Sequence, residues 1–173
     1  ALIEAIVEEV AAAPDATWEV VPTAPDRRRL LASVTAPPLG WTSVRVVEGS
    51  AALPDGVRVT PSGMANGRVE LELADDGAFR LTGGGVTLDG VGRIVDGGDF
   101  GDSYNHAPPR VDHVVDRPDG VMTRVLEQGP ARGRIEVVRR YGWPDGLLPD
   151  GVARSGTLVA TEVTTLIELR ADE

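Results

Sequence analysis

The chain has 173 residues, of which 42% are apolar and 25% are charged, and this composition is typical of one soluble globular domain. Its formal net charge of −10 argues against nucleic acid or an anionic membrane as a partner, because both would repel it. Cysteine is absent, which excludes a disulfide framework and a thiolate metal site. No apolar run reaches the ~18 residues of a transmembrane helix and no signal peptide is visible, so we expect a cytoplasmic protein.

The first residue is not methionine, and we therefore expect the chain to be a fragment of a longer polypeptide. Residues 1–13 predict a helix, which Pro14 ends. Its apolar side chains fall on one helical stripe: Leu2, Ile3, Ile6, Val7 and Val10. The predicted organisation is thus an N-terminal helix over 1–14 and a β domain over 15–173.

From residue 15 onward the sequence predicts short strands separated by turns. The predicted strands are 17–21, 28–35, 41–48, 56–60, 68–73, 78–82, 91–95, 111–116, 121–128, 133–141 and 157–170. Asp75-Asp76-Gly77 predicts a tight hairpin turn, and residues 83–85, all glycine, predict a turn rather than a phosphate-binding loop. Together the elements predict an all-β fold, an antiparallel β-sandwich with a short N-terminal helix.

The candidate functional stretch is the polar loop 96–109, which reads Asp-Gly-Gly-Asp-Phe-Gly-Asp-Ser-Tyr-Asn-His-Ala-Pro-Pro. Polar loops carried by an apolar scaffold are where chemistry concentrates. Five side chains in it are candidate site residues: Asp99, Asp102, Tyr104, Asn105 and His106.

Several simple readings of this loop have little support in the residues alone. The carboxylates do not establish a glycosidase pair, since a spacing of three in a loop fixes no distance between them. The residue order of a calcium-binding EF-hand is missing. A zinc site would need His106, His113 and a carboxylate. The two histidines are separated by a double proline, and we expect His106 to be an exposed loop residue and His113 a strand residue. Three tryptophans could stack on sugars, although packing explains each of them as well: Trp18, Trp41 and Trp143.

The loop sequence nevertheless resembles the Asp-x-Gly-Asp-x-Gly-Asp-x-Tyr-Asn-x-x-Pro stretch of glycoside hydrolase family 38, the retaining α-mannosidases. Three further segments resemble that family in the same order along the chain: 36–41 (Ala-Pro-Pro-Leu-Gly-Trp), the hairpin 66–79, and 127–132 (Glu-Gln-Gly-Pro-Ala-Arg). The resemblance covers about residues 30–170. It implies a supersandwich-like β region, and the bias towards Ala, Gly, Val, Arg and Asp suggests a bacterial protein.

The resemblance implies a parent enzyme that hydrolyses terminal α-mannosides, with zinc and the nucleophile on an N-terminal α/β barrel. None of that barrel is present, so we expect no catalytic residue, metal or cofactor in this chain, and no activity from it alone. The expected partners are an α-mannoside and the catalytic domain of the same polypeptide.

In the parent, the loop is expected to approach the substrate. Tyr104 would donate a hydrogen bond to a mannose hydroxyl while Asp99 and Asp102 anchor the loop, next to Asn105 and His106. A purely structural alternative has Asp102 and Asn105 capping turns while Tyr104 packs between sheets. A different class of function, a non-catalytic carbohydrate-binding or structural β-sandwich, also stays open.

Overall fold

The computed structural model describes residues 2–19, 21, 23, 30–49, 53 and 55–172. The chain divides into two units, Ala1–Leu31 and Ala32–Glu173. The first unit contains the helix α1 (Leu2–Ala12), which confirms the predicted N-terminal helix. Within the described residues, no helix is long and apolar enough to cross a membrane.

The second unit contains two antiparallel sheets, which confirms the predicted all-β sandwich. The first sheet has five strands in sequence order: β1 (Arg58–Thr60), β2 (Gly63–Ala65), β3 (Val69–Leu73), β4 (Phe79–Gly83) and β5 (Val86–Val91). The second sheet has three strands: β6 (Gly120–Gln128), β7 (Arg132–Pro144) and β8 (Leu158–Arg170). Each strand pairs antiparallel with its neighbour, as expected for strands joined by short connections.

The core forms where the inward faces of the two sheets meet. Ile135 and Val137 on β7 are fully buried, at 0% exposure, and the predicted alternation of residues 133–141 places both on the inward face. The core cluster draws on both sheets and on the segment before β1: Val57, Met64, Leu71, Ile135, Val137, Ile167 and Leu169. Burying each large aliphatic side chain of this kind stabilises the fold by roughly 1.5–3 kcal/mol.

The predicted hairpin between β3 and β4 is confirmed. Leu71 pairs with Leu81, and Gly77 takes φ +76° in the turn, the left-handed conformation that favours glycine. The Asp76 carboxylate accepts a hydrogen bond from the Ala78 N–H at 3.0 Å, which fixes the turn locally.

The glycine run is also a turn, as predicted. Gly84 and Gly85 have φ +56° and +79° and form a two-residue hairpin loop between the paired residues Gly83 and Val86. The following strand, β5, was not predicted, because Gly90 interrupts its apolar pattern. β2 was missed as well, since three residues are too few to show periodicity.

Several predicted strands are wrong. Residues 41–48 and the described parts of 17–21 and 28–35 form no strand; residues 20, 28 and 29 lie outside the described part. Residues 92–95 are not a strand, since Gly92 at φ +72° follows the end of β5. Residues 111–116 make only isolated bridges. Apolar alternation shows that a segment suits a strand, but a strand also needs a neighbouring backbone to bond.

A buried arginine reinforces the contact between the sheets. Arg139 on β7 is 2% exposed. Its Nη1 donates to the Gly92 carbonyl at 2.6 Å and its Nη2 donates to the Thr165 hydroxyl at 2.6 Å. The side chain runs beneath the β3–β4 turn, where a Cβ added to Gly77 would lie 2.9 Å from the Arg139 Cδ. Gly77 is therefore required both for its backbone conformation and for the space it leaves.

We predict that Gly77→Ala destabilises the chain more than Gly84→Ala does. Both residues have positive φ, which costs about 1–2 kcal/mol for alanine, but a Cβ at Gly84 would have no atom within 4 Å. Crowding against Arg139 should add roughly 1–3 kcal/mol at Gly77 alone. Urea denaturation of the two variants measures the difference in the free energy of unfolding. Equal decreases in the two variants would contradict the prediction, because they would mean that the Arg139 side chain moves aside without destabilising the fold.

Candidate functional site

The polar loop 96–109 leaves the sandwich at a backbone bridge. The Asp96 N–H donates to the Val115 carbonyl at 2.8 Å and the Val115 N–H donates back to Asp96 at 2.9 Å. Two residues further on, the Gly98 N–H lies 3.1 Å from both carboxylate oxygens of Asp112. These contacts hold the two sides of the loop together at its base.

Arg154 lies at the same base. Its Nη2 donates to Asp96 Oδ2 at 2.5 Å, and its Nη1 donates to the carbonyls of Asp96 at 3.2 Å and His113 at 2.9 Å. Only 6% of its side chain is exposed. No sequence pattern points to Arg154, because it lies 58 positions from Asp96 and no local motif joins the two residues.

Asp99 organises the tip of the loop. Its Oδ1 accepts from the Gly101 N–H and from the Ala107 N–H, both at 2.8 Å, so one carboxylate joins the two sides of the tip. The Phe100 N–H donates to the Ala107 carbonyl at 2.9 Å alongside. Gly101 passes close to Asn105, since a Cβ there would lie 1.7 Å from the Asn105 carbonyl oxygen. No other residue than glycine fits that approach.

Asp102 caps the turn that presents the tyrosine. Its Oδ1 accepts from the N–H of Tyr104 at 2.9 Å, the N–H of Asn105 at 3.0 Å and the Asn105 Nδ2 at 3.2 Å. This bonding is the Asx-turn geometry that aspartate favours. Asp102 therefore caps this turn, and Asn105 donates to the same carboxylate oxygen from both its backbone and its side-chain amide.

Hydrogen bonds lower the pKa of both loop carboxyls. For Asp99 the main cause is the Ala107 N–H, then the Gly101 N–H, with a smaller contribution from the charge of His106. For Asp102 the main cause is the Tyr104 N–H, then the Asn105 N–H. Donors directed at an ionised carboxylate stabilise its charged form, so both groups are anionic at neutral pH.

Tyr104 projects away from this scaffold. It is 92% exposed, so it does not pack between the sheets, and its phenol makes no hydrogen bond to any described residue. The five candidate residues thus share one exposed loop tip, in which Asp99 and Asp102 hold the backbone and Tyr104 is presented to the surroundings. Among the described residues, no three His, Asp or Glu side chains are grouped as a metal ion would require.

Two of the other segments that resemble family 38, 66–79 and 127–132, support the frame of the sandwich. Asn66 is 1% exposed; its Nδ2 donates to the Arg170 carbonyl at 2.7 Å and its Oδ1 accepts from the N–H of Val69 at 2.9 Å. Arg132 donates twice to Glu127 Oε2, at 3.0 and 2.8 Å, across the β6–β7 turn. These residues tie strand ends together. The remaining segment, 36–41, forms no strand and is exposed, as is the polar tip of the loop 96–109.

Comparison with solved structures identifies similar folds. An α-mannosidase from Enterococcus faecalis V583 is similar over 73% of this chain, with a TM-score of 0.63 and 18% sequence identity. A protein of glycosyl hydrolase family 38 from Enterococcus faecalis is similar over 75%, with the same TM-score and identity. The aligned part makes up only 16% and 17% of those two chains. The resemblance inferred from the motifs is thus confirmed at the level of the fold.

By sequence, no protein-family model and no curated protein matches the chain.

We predict that the loop tip changes conformation only in acid. Folding lowers the pKa values of Asp99 and Asp102. The two carboxylates therefore stabilise the loop fully above the ordinary aspartate pKa of about 3.9, and this stabilisation is lost as the pH falls through their lower pKa values in the folded chain. An NMR pH titration should show the amide resonances of Gly101 and Ala107 moving with a midpoint below about 3.9.

Asp99→Asn is the matched control, because it keeps the shape of the side chain but removes its charge. In this variant the titration of Gly101 and Ala107 should disappear, while the amides of Tyr104 and Asn105 still report on Asp102. Midpoints at or above about 3.9 in the unmodified chain would contradict the prediction.

Proposed function

We propose that this chain is the β-sandwich part of a family 38 α-mannosidase and that its loop 96–109 contributes to the substrate pocket of that enzyme. The observation that carries the proposal is the coincidence of motif and fold. The loop has the residue order of family 38, and it stands on a sandwich similar to part of an α-mannosidase. Because the aligned part is about a sixth of that neighbour, the proposed enzyme is a longer polypeptide.

The geometry of the loop suits a role in substrate binding. Tyr104 offers an exposed phenol on a backbone that Asp102 has already fixed, so little backbone conformational entropy remains to be lost when a sugar hydroxyl binds. A phenol can donate one hydrogen bond and accept others, as sugar hydroxyls require. In our proposal Tyr104 donates to a hydroxyl of the mannoside, and Asn105 and His106 lie beside it.

The loop carboxylates are suited to support rather than to attack. Asp99 Oδ1 accepts two backbone N–H groups and Asp102 Oδ1 accepts two more, so these oxygens are engaged in holding the chain. A retaining glycosidase needs a nucleophilic carboxylate and an acid on opposite sides of the scissile bond. We assign both functions, and the zinc ion, to the catalytic barrel of the same polypeptide. The described residues of this chain offer no group of three His, Asp or Glu side chains that could hold that ion.

The main alternative, a sandwich that binds carbohydrate by itself, would need aromatic faces free for stacking. Trp143 instead packs against Tyr141, with ring centroids 5.3 Å apart. Trp41 is 83% exposed but has no regular strand to fix its orientation. These environments favour a chain that supplies one loop to a larger site.

The proposal is tested by assaying hydrolysis of an aryl α-mannoside by the full-length polypeptide that contains this chain, with and without a strong zinc chelator. We expect hydrolysis that the chelator abolishes and added zinc restores. Folded full-length protein that hydrolyses no α-mannoside would contradict the proposal. Sugar binding by the 173-residue chain alone would then favour the carbohydrate-binding alternative.

In the same enzyme, Tyr104→Phe should lower kcat/KM about 3- to 10-fold, which corresponds to the ~0.5–1.5 kcal/mol typical of one neutral hydrogen bond. The fold should not change, since the phenol is exposed and contacts no polar group of the described residues. Steady-state kinetics and a thermal melt measure the two effects.

Tyr141→Phe is the matched control. It removes the same hydroxyl from a tyrosine on β7 that is 2% exposed and lies outside the loop. We expect kcat/KM to be unchanged in this variant. Equal kinetics for Tyr104→Phe and the unmodified enzyme would assign Tyr104 no role in substrate binding.

A further inference from the structure

We propose that Arg154 is a positioning residue that sets the place of Tyr104 through the base of the loop 96–109. The expected effect of Arg154 on catalysis rests on the proposed function, whereas its effect on the order of the loop does not. Arg154 does not belong to the loop and lies in none of the segments that resemble family 38. Its contacts connect the entry side of the loop at Asp96 and the exit side at His113 with residues 147–154, which carry Arg154.

Arg154 holds both sides of the loop base at once. On the entry side it bonds the carboxylate and the carbonyl of Asp96, and on the exit side it bonds the carbonyl of His113. A planar guanidinium can direct its N–H groups to separate acceptors in fixed directions, which the single ammonium of lysine cannot reproduce. With only 6% of the Arg154 side chain exposed, its two bonds to Asp96 are partly shielded from water, whereas its bond to the His113 carbonyl lies at the surface.

The segment that carries Arg154 is itself fixed. Residues 147–154 form a small hairpin, in which Leu147 bridges Arg154 and the Leu148 N–H donates to the Ala153 carbonyl at 2.8 Å. The Val111 N–H donates to the Val152 carbonyl at 3.0 Å, so this hairpin also binds the exit side of the loop. It connects β7 to β8, the two longest strands, and thereby joins the loop to the core.

Close packing leaves the loop base little room to move. Gly98 is buried between the arginine and a proline, since a Cβ there would lie 2.7 Å from the Pro109 Cγ and 3.0 Å from the Arg154 Cδ. Asp99, the next residue, begins the hydrogen-bonded tip that ends in the turn presenting Tyr104. A displacement at the base is therefore transmitted to Tyr104 over a few residues.

A double-mutant cycle in the full-length polypeptide tests whether Arg154 acts through Tyr104. Arg154→Met should lower kcat/KM about 3- to 10-fold in the unmodified background, because the hydrogen bond from Tyr104 is lost. In the Tyr104→Phe background the same substitution should change kcat/KM less than about twofold, because two residues that act through one contact are not additive. Losses that multiply would overturn the inference.

The matched control is Arg140→Met. Arg140 also pairs with a carboxylate, that of Glu162 at 3.3 Å, but its side chain is 72% exposed and lies on the outer face of β7. Exposed ion pairs of this kind contribute little. We expect this variant to keep the kcat/KM of the unmodified enzyme; a loss equal to that of Arg154→Met would overturn the inference.

A second measurement does not depend on activity. In the 173-residue chain, NMR relaxation should give order parameters near 0.85 for the backbone of residues 98–107, and Arg154→Met should lower them below about 0.6. Residues of β7 should keep their values. Unchanged order parameters in the loop would overturn the inference even if the full-length protein hydrolyses mannosides. A full-length protein without that activity would instead refute the proposed function, and the relaxation data would still decide the role of Arg154.

If Arg154→Met unfolds the chain, Asp96→Asn replaces it in both experiments. This variant removes the ion pair but keeps a side chain of the same size and the carbonyl contacts of Arg154. The same non-additivity with Tyr104→Phe and the same loosening of residues 98–107 are expected, and additive kinetics with an ordered loop would overturn the inference.

Discussion

The inward face of β7 is the surface on which the second unit is assembled. Ile135 and Val137 are fully buried against residues of the five-stranded sheet, and Arg139 extends the same face to the carbonyl of Gly92. β7 is also the central strand of its own sheet, between β6 and β8. Because one strand bonds two neighbours and packs against the opposite sheet, a change on its inward face affects both layers of the sandwich.

The position of the candidate site is set by the chain segments that connect it to the two sheets, rather than by its own local sequence. The loop 96–109 leaves the first sheet after β5 and is held by a hairpin that joins β7 to β8. Hydrogen bonds to Asp99 and Asp102 then shape its tip. A rigid scaffold thus carries a functional loop, as is common in proteins, and here the loop is held by partly buried polar contacts at its base.

Local patterns predicted the parts of this fold that local forces determine. Alternation in residues 68–73 and 133–141 identified β3 and β7, and the glycines at 77, 84 and 85 identified turns that need positive φ. Residues 41–48 carry an equally good strand pattern, yet they form no strand, since pairing depends on a partner that the segment does not encode. β2 and β5 were missed for the converse reason: pairing with adjacent strands overrides a weak pattern.

Local sequence patterns were limited in the same way in predicting the candidate site. Composition alone singled out the loop, and the motif singled out Tyr104, but the carboxylates acquired separate roles only in three dimensions, where Asp99 joins two sides of the tip and Asp102 caps one turn. The sequence did not indicate that Arg154 has a role, because arginine is usually exposed and nothing in a loop rich in glycine and proline predicts that its side chain is buried. Long-range polar contacts of this kind are set by topology, which short motifs do not record.

The most direct test of the account is a crystal structure of the full-length polypeptide with a bound mannoside-like inhibitor, in which the distance from the Tyr104 phenol oxygen to the sugar is measured. We predict a hydroxyl of the inhibitor within about 2.5–3.0 Å of that oxygen, the range of an O–H···O hydrogen bond. A loop 96–109 that faces solvent, with the inhibitor bound far from Tyr104, would contradict the assignment of this loop to the substrate pocket.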